Sequence, residues 1–351
     1  MEDKVADAPQ RSRSARLAAG LAVLCVAVLL AAAVVWGGRA PSPASSAPRV
    51  DVTIATNTLY AGSCPVFVAQ ERGYFAAEGV HATVQQHTSG RAALDATLEG
   101  RASLSVSADI PIMFAVMREQ PVSVIATLFA TEADYEVVGR RDRGVSTPAS
   151  LRGKRIGVTL GTSGHFVLDA FLNRQKLSPR DVTAVDLKPE DIAPALQRGD
   201  IDAAATWEPH VGTMKKALGA NAVAFAATGI YEATSSLSST RDYVAGHQDT
   251  VQKVLRALVQ GGRFCQETPD GARAITARFM GVDAAELKDP WGAYRFGVVL
   301  DQSLLLALED EARWAIKNGM AGGRKEMPNY LNHFHLDGLL AVTPHAVTVI
   351  H

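Results

Sequence analysis

Cysteine is scarce in this chain: three in 351 residues, at positions 25, 64 and 265. There is no CxxC pair and no Cys/His cluster, which excludes a zinc-finger module and a thioredoxin-like dithiol centre. Net charge is nearly absent too. Its formal value is −1, and the basic residues are scattered rather than striped, so no electrostatic footprint for nucleic acid exists. Phosphate-binding glycine signatures are missing: neither GxGxxG nor a Gly-Lys-Ser/Thr loop occurs, which removes the usual nucleotide-binding motifs. No repeat of solenoid length and no Ser/His/Asp or paired-carboxylate spacing stands out.

Long apolar runs are absent except for one. Residues 17–36 carry no charge for twenty positions, enough to cross a bilayer core. Arg11, Arg13 and Arg16 precede the run and only Arg39 follows closely, so residues 1–16 are expected to stay in the cytoplasm and the remainder to be exported, to a periplasm or a cell surface. Two readings compete, a retained anchor and a cleaved signal peptide. The length favours the anchor, because a secretory apolar core usually spans about 7–15 residues, while Ala31-Ala32-Ala33 offers a cleavage site. Cys25 follows Leu24, too large for the usual lipoprotein site. Residues 37–49 then hold three prolines among small polar residues and read as an exposed linker. With Cys25 in the apolar run, Cys64 and Cys265 lie in the exported part, where a disulfide is permitted. Their separation favours independent cysteines, with a bridge as the alternative.

From residue 50 onward the composition is that of a globular protein, 47% apolar and 20% charged over the whole chain. The length suits about two domains. Apolar strands alternate with helices: strands are expected at 51–56, 82–86, 104–106, 122–129, 135–139, 155–159, 183–187, 200–205 and 223–227, which argues for a mostly parallel sheet flanked by helices. Pro65 suits a first helical turn, and Ser89 an N-cap. Thr206 to His210 is expected to open a helix. Asp249 with Gln252 fits a capping box, and Phe296, Val299, Leu300, Leu304, Leu308 and Ala312 fit one long amphipathic helix.

The stretch 151–172 organises the rest. A short strand leads through Leu160-Gly161-Thr162-Ser163-Gly164-His165 into a helix. Two glycines allow a sharp turn, two hydroxyls line it, and the helix start offers unpaired N–H groups with the positive end of its dipole. An anion or a carbonyl oxygen suits such a turn. An ordinary strand-to-helix connection would look the same.

Five segments in order carry a resemblance. They are AQERGYFAAEGV at 69–80, SADIP at 107–111, LRGKRIGV at 151–158, LQRGDIDA at 196–203 and Trp207-Glu208-Pro209. Together they resemble the exported substrate-binding proteins of ABC importers in the nitrate/sulfonate/taurine group, the NitT/TauT and SsuA/THI5-like family. The resemblance covers nearly everything from residue 50 onward. It implies an α/β fold of the type II periplasmic-binding-protein kind, with two lobes, a hinge and an interlobe cleft. Residues 50–137 with 237–351 would form the first lobe and 138–236 the second. Ligand would sit where strand ends and helix starts converge.

On that fold, four turns are expected at the cleft. The first lobe would supply Tyr60, Ser63, Cys64, Ser107 and Asp109. The second would supply Gly161, Thr162, Ser163, Gly164, His165, Trp207 and Glu208. Hydroxyls and helix-start N–H groups would hold sulfonate, carboxylate or nitrate oxygens, and Trp207 would pack on an apolar body. Glu208 would accept from an amine or stabilise its own helix; Asp109 reads as an N-cap before a ligand contact, and Cys64 as a small neutral wall. No cleft arginine can be assigned. His333 and His335 read as a surface turn, and Trp314 and Tyr330 as packing.

The expected function is binding without catalysis: a monomer, needing no cofactor or metal, that captures a small anion and delivers it to an ABC permease and its ATPase. The alternative is an enzyme on the same fold, of the pyrimidine-precursor synthase or lyase type. The synthases of that kind carry a cysteine-rich CCCFC motif, which this chain lacks. A tethered sensor would need an output module, and about sixteen cytoplasmic residues are too few for one.

Overall fold

The computed structural model describes residues 49–350. The expected cytoplasmic segment, apolar span and nearly all of the linker lie outside the described residues. Among the described residues, no helix is long and apolar enough to cross a membrane.

The described residues form eleven strands. The first four are β1 (Val50–Asn57), β2 (Val80–His87), β3 (Leu104–Ala108) and β4 (Val122–Thr131). Next come β5 (Tyr135–Arg140), β6 (Arg155–Val158), β7 (Thr183–Asp186), β8 (Ala203–Trp207) and β9 (Ala222–Ala226). The chain then returns with β10 (Ala233–Thr240) and β11 (Arg295–Val299). One sheet has the order β11-β4-β10-β3-β1-β2 and the other β7-β6-β8-β5-β9. The helices that bear on the site are α1 (Cys64–Glu71), α2 (Gly90–Leu98), α3 (Asp109–Met117), α4 (Ser163–Arg174), α5 (His210–Leu218), α6 (Gln248–Glu267) and α7 (Gln302–Lys317).

Both sheets are mixed, not mostly parallel. β1 pairs parallel with β2 and β3, and β6 parallel with β7 and β8. However, β10 runs antiparallel to β3 and β4, and β5 antiparallel to β8 and β9. The chain therefore crosses between sheets twice, just after β4 and just before β10. Those crossings come earlier than the expected 137/138 and 236/237 boundaries, which fall inside β5 and β10.

Strand β10 was absent from the sequence reading, and the reason is its composition. Its residues ATSSLSST are rich in Ser and Thr, which pattern reasoning assigns to loops. In the fold, Ser236, Ser238 and Ser239 are fully buried, between two neighbouring strands that satisfy the backbone on both edges. Ser239 Oγ donates to Ser103 O at 2.6 Å, and small side chains suit a strand covered on both faces.

Other differences are local. Phe296 and Val299 belong to β11, and the long helix starts only at Gln302, capped by Asp301, which accepts from Leu304 N. The apolar spacing is continuous through the junction, so periodicity alone could not place the break. Asp249 lies inside α6 rather than in a capping box, and pairs with Lys253. Thr206 and Trp207 end β8, so the helix expected there begins at His210. Ser89 does cap α2, accepting from Ala92 N at 3.2 Å.

Cys64 and Cys265 are joined as a disulfide, against the favoured reading of independence. The 201-residue separation misleads because α6 folds back onto α1. That contact is close: a Cβ at Gly261 of α6 would lie 2.3 Å from the carbonyl oxygen of Pro65. The cysteine Cα atoms are 6.4 Å apart, within bridging range. The bridge sits among Phe67, Val68, Phe129, Ile275 and Trp291, a satellite core beside the main one.

Candidate functional site

A cavity lies between the two sheets, walled by both. The first sheet and its helices contribute Asn57, Tyr60, Ser63, Ser89, Gly90, Arg91, Ser107, Ala108, Pro111 and Ser235. The second contributes Tyr135, Thr162, Ser163 and Trp207. Three helices of eight or more residues, α2, α3 and α4, begin at this cavity, each following a strand end. Their first N–H groups have no intrahelical partner. The centre of a water molecule can occupy about 40 Å³ inside, room for roughly three waters.

Arg91 is the cation of the wall. Its Nη1 donates to the carbonyl oxygen of Leu160 across the cleft at 2.8 Å. Gly161 makes this approach feasible: its φ is +71°, and a Cβ there would stand 3.1 Å from Arg91 Nη1. One arm of the guanidinium thus ties the lobes, while its Nε lies 3.8 Å from Asp95 Oδ2 one turn along α2.

The hydroxyls have partners inside the protein. Ser63 Oγ donates to Asn57 O at 2.8 Å and lies 2.7 Å from Thr56 Oγ1. Thr162 Oγ1 donates to Thr159 O at 2.7 Å, and Ser107 Oγ to Ala108 O at 3.1 Å. Ser163 Oγ donates to Asp109 Oδ1 at 3.5 Å, a long bond between the lobes.

Asp109 stands behind the wall, fully buried, at the first position of α3. It is not the N-cap expected from the sequence. Its Oδ1 also accepts from Ile110 N at 2.7 Å and from the Tyr231 hydroxyl, while Oδ2 accepts from Thr234 Oγ1 at 3.0 Å. Burial raises its pKa above the usual carboxylate value, and these four donors offset only part of that rise. Glu311 of α7 is buried nearby. Burial first, and the charge of Asp109 second, hold its carboxyl well above the usual range.

A second tie joins the lobes at their back. Trp314 Nε1 of α7 donates to Asp169 Oδ2 of α4 at 2.9 Å, and Phe166 packs edge-on to the Trp314 ring at 5.2 Å. At the crossing segment, Asp134 Oδ2 accepts from the Tyr60 hydroxyl at 2.7 Å. Burial pushes the Asp134 carboxyl up to about 7, opposed by the Tyr60 and Tyr294 hydroxyls and reinforced by the charge of Glu208.

Of the residues expected at the cleft, Tyr60, Ser63, Ser107, Thr162, Ser163 and Trp207 line this cavity. The others do not. Cys64 points away from it into the disulfide, so it is no cavity wall. Glu208 faces a separate groove and accepts from Gly212 N at 3.0 Å, which is the helix-stabilising role. The His165 ring packs edge-on to Trp314, its Nδ1 accepting from Gly161 N at 3.4 Å. Gly164 is buried against Ala205 O and the Trp207 ring, and Gly161 shapes the turn.

Sequence reasoning missed Arg91, Asn57, Tyr135, Tyr231 and Ser235. A signal existed for Arg91: it lies two residues after a correctly placed N-cap, on a helix that follows a strand end. Ser235 lies near the start of the strand that composition had hidden, and Tyr231 just before it.

Residues 61–272, more than half of the chain, match the family described as NMT1/THI5 like. The chain belongs to the NMT1/THI5-like family. The taurine-binding periplasmic protein of Escherichia coli is 32% identical over 174 residues, 49% of this chain and 53% of that protein. The 4-amino-5-hydroxymethyl-2-methylpyrimidine phosphate synthase of Schizosaccharomyces pombe is 30% identical over 138 residues, 39% of each. Among solved structures, the alkanesulfonate-binding protein SsuA from Xanthomonas axonopodis pv. citri, bound to MOPS, superposes with a TM-score of 0.72. It is 21% identical and the match covers 82% of this chain and 99% of that one. This NMT1/THI5-like chain therefore has the two-lobed, type II periplasmic-binding-protein fold, with two mixed α/β sheets.

Proposed function

We propose that the chain is an extracytoplasmic solute-binding protein that encloses a small organic acid, of sulfonate or similar kind, between its lobes and delivers it to an ABC permease. The observation that carries this reading is the cavity itself. Both lobes wall it, three helix starts open on it, and Arg91 stands at its edge with one arm already spanning the cleft. Charge-assisted hydrogen bonds from Arg91 and the helix-start N–H groups would hold the acid group. Tyr60, Tyr135 and Trp207 would pack on the remainder. The two interlobe ties, Arg91–Leu160 and Trp314–Asp169, would then report occupancy as a closed shape.

The test is thermal unfolding of residues 49–351 against a panel of sulfonates, taurine, nitrate, carboxylates and pyrimidines. A true ligand at a hundredfold its dissociation constant adds about 2.7 kcal/mol. No stabilisation by any member of the panel would refute the reading. The synthase relative supplies the second reading, an enzyme on this fold. The cavity wall carries Arg91, hydroxyls and aromatics, and among the described residues that line it there is no lysine or histidine to activate a serine, which supports binding over turnover. Chemical conversion of a retained ligand would reverse that preference.

A further inference from the structure

We propose that Tyr60 is a gate in the wall of this cavity: held shut by Asp134, it bars the non-acid end of a guest from a larger groove behind it, and so sets the length of tail that the protein accepts. This rests on the solute-binding reading above and adds a residue that decides between guests sharing one acid group. The groove also lies between the lobes, with Glu208, Pro209 and α5 on one side and residues 280–294 on the other. The centre of a water molecule can occupy about 690 Å³ of it. Ala61, Met280, Val282, Leu287, Pro290 and Tyr294 give it an apolar surface suited to an alkyl chain.

The wall between the two spaces is one residue thick. Three stretches of chain show this. Tyr60 lines the cavity and Ala61 the groove; Trp207 and Glu208 divide in the same way, and so do Tyr135 and Ala133. Asp134 stands between the last two, fully buried. Pairing of Tyr135 with Trp207, and a bond from Glu208 N to Asp134 O at 3.1 Å, fix two of these stretches to each other. The part of the wall that can move is the Tyr60 side chain. Its hydroxyl donates to Asp134 Oδ2 at 2.7 Å, and its ring packs edge-on to Phe129 at 5.5 Å. Phe129 in turn packs edge-on to Tyr294, on the groove side, at 5.1 Å. Burial, then the charge of Asp134, hold the Tyr60 hydroxyl above its usual pKa, so it stays a donor. Gly62 completes the fit. A Cβ there would lie 2.4 Å from Tyr60 Cε1 and 3.0 Å from Phe129 Cδ1, so the ring rests where any side chain would displace it.

Isothermal titration of the full chain with straight-chain alkane-1-sulfonates of two to eight carbons, and with carboxylates of the same lengths, reads the change in affinity per added methylene. In the unmodified protein, affinity should stop rising and then fall once the tail reaches Tyr60. Tyr60→Ala joins the two spaces, and each further methylene should then add about fourfold. Ala133→Phe in that background, at an exposed position on the groove side, should restore the break and so locate the tail. Should Tyr60→Ala not fold, Tyr60→Phe drops only the bond to Asp134 and Gly62→Ala only crowds the ring; each should move the break to longer chains. Asp134→Asn still accepts from Tyr60 and should leave the break in place. Affinity that climbs through eight carbons in the unmodified protein, or a break that none of the gate variants moves, would overturn the proposal and leave the solute-binding reading standing. A break that Ala133→Phe does not restore would overturn the groove as the place of the tail. Binding of no sulfonate and no carboxylate overturns this proposal and the acid-binding reading together.

Discussion

The Cys64–Cys265 bridge closes a loop of 201 residues, and its contribution can be worked from that length alone. In the chain-entropy treatment a loop this long loses about 18 cal/mol/K of unfolded-state freedom, or about 5 kcal/mol at 25 °C. Measured values fall below this bound because the unfolded chain keeps residual structure, so about 2–5 kcal/mol is expected. The perturbation is Cys64→Ala with Cys265→Ala. Both side chains are fully buried, so part of the loss will come from the space left behind. Comparing oxidised with reduced unmodified protein isolates the bridge, since reduction deletes no atoms other than the bond. Urea unfolding supplies the free energies, and alkylation of the denatured, non-reduced chain supplies the thiol count. One label, on Cys25, is expected. The functional consequence follows from position: Cys64 begins α1 directly after Ser63, so the bridge anchors that edge of the cavity to α6. Three labels per chain, or oxidised and reduced forms equal within about 1 kcal/mol, would refute the reasoning.

Arg91→Ala removes the tie to Leu160 and the cation of the wall, and should weaken capture of an acidic ligand by about 1.5–3 kcal/mol; titration showing unchanged affinity would take Arg91 out of the site. Trp314→Phe keeps the ring but deletes the donor to the buried Asp169, and should lower stability by about 1–3 kcal/mol, read by urea unfolding. Asp134 has a folded pKa raised to about 7 from 3.8, so the native state holds a proton that the unfolded state has lost between those values. Its stabilisation is present below pH 4 and disappears as pH rises through 7, a swing of up to about 4 kcal/mol at 1.36 kcal/mol per pH unit. Asp134→Asn should flatten that part of the profile, and parallel profiles for the two proteins would contradict the burial argument.

Much of the fold was legible locally. The β1–α1 and β2–α2 units, the Ser89 cap and the turn from β6 into α4 all obey rules that act within about ten residues. What failed was what neighbours decide. The break between β11 and α7 hid because Phe296 to Ala312 keep a helical spacing of apolar residues. β10 hid because its serines look like a loop until two strands cover them. At the site, residue type identified Ser163 and Thr162, while their roles as donor or acceptor depended on Asp109 and Thr159.

The sequence by itself determined that strands and helices would alternate in an α/β fold, and that two hydroxyls and a helix start would meet in the turn that begins at Gly161. Short-range propensities and chain periodicity are enough for that. Only the tertiary structure decided the pairing of Cys64 with Cys265, the reach of Arg91 across the cleft, and the burial of Asp109 beside Glu311. Each of these joins segments tens to hundreds of residues apart. The free energy of a contact depends on distance in space and on local desolvation, neither of which is written in the order of the residues.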